Sequence, residues 1–98
     1  MIRVRHLSVV DQEIEEAIAY YLEAETPQSA ERLDTMIQKG EELIAMQPML
    51  YPICEDDLHY KLLSPFPYSI IYSIEETEIV IVALANQNRE YGYWRDRF

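Results

Sequence analysis

The sequence predicts an α+β domain, two helices packed on a four-stranded sheet in the order β-αα-βββ. Three observations predict it. Residues 9–46 carry apolar side chains at helical spacing, broken once at Thr26-Pro27. Residues 58–85 carry three short apolar or alternating runs separated by turn residues, the pattern of strands joined by tight connections. A further alternating run precedes the helices.

In chain order, Ile2–Leu7 sets Ile2, Val4 and His6 against Arg3, Arg5 and Leu7, a short strand with one charged face. Ser8-x-x-Asp11 has the spacing of a capping box with the shorter acid. Asp11, Glu13, Glu15 and Glu16 favour a helix N-terminus, where unsatisfied N–H groups carry partial positive charge. The first helix is predicted over about Val9–Glu25, with Val10, Ile14, Ala17, Ile18, Tyr21 and Leu22 as its apolar stripe. Thr26 caps and Pro27 opens the second, over about Pro27–Met46, with Ala30, Leu33, Ile37, Gly40 and Ile44 on one face, widened by Met36 and Leu43. A mid-helix glycine costs about 1 kcal/mol relative to alanine, so Gly40 on that stripe predicts close approach to the first helix or the sheet. The short joint forces an antiparallel αα-hairpin, which Pro48 ends.

Residues 47–57 read as a loop, with Pro48, Pro52 and the acidic Glu55-Asp56-Asp57. Leu58–Leu63 returns to strand. In Tyr68–Ile74 the side chains of Tyr68, Ile70, Tyr72 and Ile74 share one face, and Ser69, Ile71 and Ser73 the other. Ile79–Ala85 is apolar on both faces, which predicts a central strand covered on both sides. Glu75-Glu76-Thr77-Glu78 is a polar turn, short enough to make a hairpin of these two strands.

Ninety-eight residues predict one domain, with apolar content of 49% and charged content of 27% in the globular range. No apolar run approaches about 18 residues and no charged-then-apolar leader opens the chain, which predicts a soluble, cytosolic protein without a membrane partner. Cys54 is the single cysteine, so no internal disulfide is expected. The net charge of −10 argues against a general nucleic-acid binder, whose affinity comes from displacing phosphate counterions. Residues 9–47 hold two cations against ten carboxylates, while six of the eight Lys and Arg residues fall on predicted strands or in the tail. This predicts an acidic helix layer behind a sheet whose open side gathers the cations.

The acidic run at residues 55–57 lacks converging ligands, and neither His6 nor His59 stands at a ligand spacing, so no metal or other cofactor is expected. No serine has a His and an acid in a recognised spacing, no Gly-rich phosphate loop is present, and Cys54 has no supporting base. Tyr20, Tyr21, Tyr68 and Tyr72 fall at core spacing. Tyr91, Tyr93 and Trp94 lie among arginines. Such a cluster stacks bases and clamps phosphate, or it pins the tail onto the sheet by burying Trp94, the reading favoured for that residue.

The run Phe66-Pro67-Tyr68-Ser69-Ile70-Ile71-Tyr72, the apolar Ile79–Ala85, then Asn86-Gln87-Asn88-Arg89 and Tyr93-Trp94-x-x-Arg97 together resemble the RelE/ParE toxin family. That family has an FPY-x-I-x-Y strand, a central apolar strand, an A-H-x-x-R segment and a terminal Y-W-x-x-R. Asn86 stands in the usual His place, and Tyr91 where Pro is common. The resemblance covers nearly the whole chain. It implies a two-layer RelE/ParE-like fold, a helical hairpin on a mostly antiparallel four-stranded sheet. It further implies the toxin of a type II toxin–antitoxin pair, assembled with a cognate antitoxin whose C-terminal segment wraps the helices and sheet. Charge predicts that this segment is partly basic where it meets the acidic helices.

Two activities follow from the two branches of the family. One is inhibition of DNA gyrase by binding alone; the other is metal-independent cleavage of mRNA on the ribosome. The binding reading implies target contacts at Arg89, Trp94, Arg95 and Arg97. The cleavage reading implies catalysis by Lys61, Arg89 and Tyr93, since a group must take the 2′-OH proton, another must protonate the leaving oxygen, and cations must stabilise the phosphorane charge. Asn86 can do neither proton transfer at neutral pH, and His59 substitutes only if its strand face points to the site. The charge of −10, the absent His and the few cations on the sheet favour gyrase. A third reading keeps antitoxin binding alone. The purely structural alternative for Arg89 is an ion pair with a helix carboxylate such as Glu16 or Glu23.

Overall fold

A computed structural model describes residues 2–97. Strand β1 (Arg3–His6) leads into helix α1 (Ser8–Ala24), and two residues turn the chain back into α2 (Pro27–Met46). A 3-10 turn (Pro48–Leu50), β2 (Ile53–Glu55), β3 (Leu58–Leu62), β4 (Tyr68–Ile74), β5 (Glu78–Asn86) and a second 3-10 turn (Arg95–Arg97) follow. The strands form one sheet in the order β1-β5-β4-β3-β2. β1 runs parallel to β5, and every other neighbouring pair is antiparallel.

The sheet therefore has five strands where four were predicted. The added edge strand lies in the segment that reads as loop. Asp56 and Asp57 both adopt left-handed backbone, with φ of 49° and 64°. Two successive residues of that kind make the tight turn whose twist matches a β-hairpin, and aspartate tolerates it better than most residues. Of the acidic run, Glu55 ends β2, and Asp56-Asp57 is the hairpin turn between β2 and β3.

The helix starts divide. Thr26 caps α2, its Oγ1 accepting the Ser29 N–H at 3.0 Å. Ser8 does not cap α1: Leu7 holds the cap position without a side-chain bond. Asp11, the expected second half of that box, has turned to His6 instead, Oδ1 to Nδ1 at 2.8 Å.

The helical hairpin covers one face of the sheet. Val10, Ala17, Leu33, Ile37 and Ile44 pack there on Ile70, Tyr72, Ile79, Ile81 and Leu84. Gly40 meets the sheet: a β-carbon at that position would lie 3.0 Å from Ile70 Cδ1 and 3.2 Å from Leu63 Cδ2. Contact this tight is the packing that offsets the poor helix propensity of glycine. The buried Tyr72 hydroxyl donates to Pro48 O at 2.6 Å, and His59 stacks on the Tyr72 ring with its Nδ1 2.7 Å from Tyr51 O. These contacts fasten the segment after α2. Tyr20 and Leu22, expected in the core, are instead 57% and 52% exposed.

Strand β5 contains a bulge. Ile71 pairs with Ala83 while Tyr72 pairs with Ile81, leaving Val82 as an extra residue. A bulge resets which residues face which side. Ile79 and Ile81 face the helices before it and Leu84 after it, while Val82, Ala83 and Ala85 join Ile71, Leu58 and Trp94 in a second cluster on the opposite face. Both faces of β5 are thus buried, as its unbroken apolar run predicts.

His6 ties β1 to both helices. Its Nε2 lies 2.8 Å from Glu41 on α2 and its Nδ1 2.8 Å from Asp11 on α1. The bond to Glu41, against a smaller opposing effect of burial and with help from Asp11, raises its pKa from 6.5 to about 9. Protonated His6 is therefore favoured by the fold. Its contribution is fully present below the unfolded value of 6.5 and is lost as pH rises through about 9. With a quarter of the imidazole in solvent, the expected loss is about 2 kcal/mol between those limits. Urea titrations at pH 6 and pH 9.5 measure it. His6→Gln should flatten the difference, and an unchanged pH profile in that variant would refute the clamp.

Candidate functional site

The site grows from an unfinished sheet edge. β1 ends at His6 opposite Ile81, and the Leu7 N–H makes the last bond to that strand, donating to Ile81 O at 3.1 Å. Beyond this point β5 continues with β4 on one side and no strand on the other, so the backbone groups along that edge need other partners. Side chains supply them. Glu13 of α1 accepts the Leu84 N–H at 3.0 Å, the Tyr93 hydroxyl reaches Leu84 O at 3.2 Å, and Arg97 donates to Val82 O at 3.1 Å.

Those side chains also bind one another. Arg97 donates to both Glu13 oxygens, at 2.9 and 2.8 Å, the two-pronged geometry that suits guanidinium to carboxylate. The Tyr93 hydroxyl lies 3.0 Å from Glu13 Oε2. Arg89 stands 3.8 Å from the same oxygen, with its guanidinium 3.6 Å above the Tyr93 ring. Burial, and then the Glu13 charge, push the Tyr93 hydroxyl up to about 12. The Glu13 carboxylate raises Arg97 still further above its ordinary value.

On the sheet face away from the helices lies a cleft of about 480 Å³. Ile71, Ala85 and Trp94 line it together with the exposed Ile53 and Leu62 from β2 and β3, and with Arg89 and Tyr91 from the tail. Trp94 is 4% exposed, and its Nε1 has no hydrogen-bond partner among the described residues. Arg95 ties the tail to β2 by donating twice to Glu55, at 2.5 and 3.1 Å, which holds that carboxyl below the usual range. Gly92 has φ of 81°, and a β-carbon there would sit 2.5 Å from Arg95 Cζ, so glycine serves both the turn and the passage of the arginine. Burial raises the Cys54 thiol, which donates to Leu58 O at 3.4 Å. Thiolate chemistry is disfavoured there.

Of the residues singled out in the sequence, Arg89, Tyr93 and Arg97 converge on Glu13, Trp94 packs beneath the cleft, and Arg95 reaches β2. Lys61 does not join them. It pairs with Ile70 on the helix-facing side and lines a groove under α2 with Arg32 and Lys39, its ammonium 4.7 Å from the Tyr51 ring centroid. The structure thus brings together two members of the Lys61–Arg89–Tyr93 set, not three. Arg89 pairs with a helix carboxylate, but the partner is Glu13 rather than Glu16 or Glu23. Asn86 uses its Oδ1 to accept the Asn88 N–H at 2.8 Å, a turn-forming role, and His59 is held against Tyr72 away from the cleft. Nor does the open face gather most cations. Arg3 and Arg5 pair with Glu78, leaving Arg89 as the cation that lines the cleft, with Arg95 nearby on Glu55 of β2.

The pivot, Glu13, carries no motif. Its legible signal is position: three residues after Val10 and four before Ala17, it puts a carboxylate on the apolar stripe of α1. A buried charge there requires a partner. Among the described residues, no group of three His, Cys, Asp or Glu side chains could hold a metal ion, and no helix is long and apolar enough to cross a membrane.

The comparisons with known proteins agree with this architecture. A family model described as "ParE toxin of type II toxin-antitoxin system, parDE" matches residues 8–91, from the start of α1 to the cleft-lining Tyr91. A solved structure titled "Chromosomal ParDE TA system from P. aeruginosa" superposes with a TM-score of 0.74, covering 88% of this chain and 96% of that chain. Sequence identity is 16%, so this likeness is one of fold. Comparison with curated proteins by sequence found no match. With the family model spanning both helices and all of β2 to β5, the chain belongs to the ParE toxin family of type II toxin–antitoxin systems.

Proposed function

We propose that this toxin acts in the cytoplasm by binding and inhibiting DNA gyrase, and that a cognate antitoxin neutralises it in a toxin–antitoxin hetero-oligomer. The observation that supports binding over catalysis is the condition of Tyr93. Its hydroxyl is engaged by Glu13 and Leu84 O, and its pKa of about 12 makes it a poor proton carrier near neutrality. Lys61 stands on the other side of the sheet and Asn86 is tied into a turn, so neither supplies the missing base.

The target surface in this reading is the tail side of the cleft. Arg89 and Arg95 are about half exposed, at 55% and 52% of their side chains, and Tyr91 is exposed beside them. Arginine and tyrosine are the residue types that anchor protein interfaces. Trp94 and Arg97 act beneath them by fixing the tail.

Purified gyrase provides the test. Added toxin should abolish supercoiling, with mRNA on ribosomes left intact. Arg89→Ala should weaken inhibition by about 10-fold or more with the fold retained, because its half-exposed ion pair adds little stability. Cuts in mRNA at the ribosomal A site with supercoiling unaffected would overturn the reading. Inhibition unchanged in Arg89→Ala would overturn the surface assignment.

A further inference from the structure

Cations are scarce on this chain, and most are neutralised internally. Among the described residues, Arg3 and Arg5 pair with Glu78, Arg89 and Arg97 with Glu13, and Arg95 with Glu55. The remaining three, Arg32, Lys39 and Lys61, make no ion pair among the described residues, and all three line the same groove of about 350 Å³ between α2 and β3. On a molecule of net charge −10 this is a local reversal of sign. Screening over about 8 Å at physiological salt lets such a patch act independently of the acidic remainder.

The groove is apolar as well as cationic. Arg32, Met36, Lys39, Leu43 and Met46 follow one another at intervals of four and three residues, so they form a single stripe on α2. The helix uses a different stripe, including Ala30, Leu33, Ile37 and Ile44, for the core. Met36 packs partly against the core, but the rest of the second stripe is left open: Leu43 is 36% and Met46 67% exposed. An occupant must bury aliphatic side chains and bring carboxylates to three cations.

We infer that this groove is a docking site for an acidic, amphipathic segment of the neutralising partner, an inference that rests on the antitoxin reading above. A protein segment fits better than nucleic acid, because the groove-lining side chains, aliphatic and cationic with the hydroxyls of Thr35 and Ser64, include no aromatic face for a base to stack on. The acidic helices predict a basic partner segment; here the unpaired cations select the opposite sign.

The test is calorimetric titration of the purified chain with the product of the reading frame encoded beside it, at low and high salt. The wild-type chain should bind, and Arg32→Glu/Lys39→Glu/Lys61→Glu should weaken binding by about 100-fold while flattening the salt dependence. Arg3→Glu/Arg5→Glu, which shifts charge in the same direction away from the groove, should change affinity by less than about 5-fold. Matching circular dichroism in all three proteins separates lost docking from lost fold. A triple variant that binds as tightly as wild type overturns the groove while leaving the antitoxin reading intact. A wild-type chain that does not bind the neighbouring product overturns that reading, and the groove with it.

Discussion

Glu13→Ala is expected to lower the free energy of unfolding by about 3–5 kcal/mol, the range for removing one partner of a buried ion pair. Two deficits combine. Arg97, with only 17% of its side chain in solvent, would keep a charge without its counter-ion, and the Leu84 N–H would lose its acceptor on an edge that no strand covers. The tail should loosen with it. Urea titration measures the stability, and trypsin cleavage after Arg89, Arg95 and Arg97 measures the tail. Glu13→Gln keeps an oxygen for Leu84 but not the charge, so it should fall between wild type and alanine. A loss below about 1 kcal/mol in Glu13→Ala, with tryptic sites still protected, would show that the tail is held by other contacts.

The second large effect is expected at Trp94. Trp94→Ala should cost about 3–5 kcal/mol, as truncation of a large buried aromatic leaves a cavity that close-packed neighbours cannot fill. The indole meets Tyr91 and Tyr93 edge-on, at centroid distances of 5.3 and 5.4 Å, so the cavity would open between the cleft and the tail. Trp94→Phe should cost much less, about 1–2 kcal/mol. Its Nε1 has no partner among the described residues, so no hydrogen bond is forfeited. Thermal unfolding of both variants distinguishes packing from polar anchoring. Equal losses in the two would mean that the N–H has a partner after all.

Much of the fold is legible in the residues because the chain punctuates itself clearly. Thr26-Pro27 and Pro48 mark the limits of α2, and the observed Pro27–Met46 coincides with the predicted span. Alternation in Tyr68–Ile74 identifies the helix-facing side correctly. Strand β2 is hidden because its turn uses two aspartates in left-handed backbone where glycine or asparagine is the usual marker. The bulge at Val82 is hidden for a different reason: an uninterrupted apolar run looks the same with or without an extra residue.

The candidate site is less legible than the fold. Arg89, Tyr93 and Arg97 stand out as a basic-aromatic tail, but their shared partner is one glutamate among four acids near the start of α1. Helix-end electrostatics accounts for acids there in general and conceals the one that faces inward. Lys61 was separable only by parity. Tyr60 and Leu62 line the cleft, so the residue between them points to the other side of the sheet, and the alternation rule says so once one neighbour has been placed.

The pairing of Arg97 with Glu13 joins positions 84 residues apart in the chain. It encircles almost everything between them, yet each component comes from a different source: a carboxylate from the first helix, a strand edge from the last hairpin, a guanidinium from the tail. Contacts of such long sequence separation are rewarded only after the intervening chain is ordered. The ring is therefore expected to close late in folding and open early in unfolding. On that expectation, weakening it should shorten the lifetime of the native state and leave the rate of folding nearly unchanged.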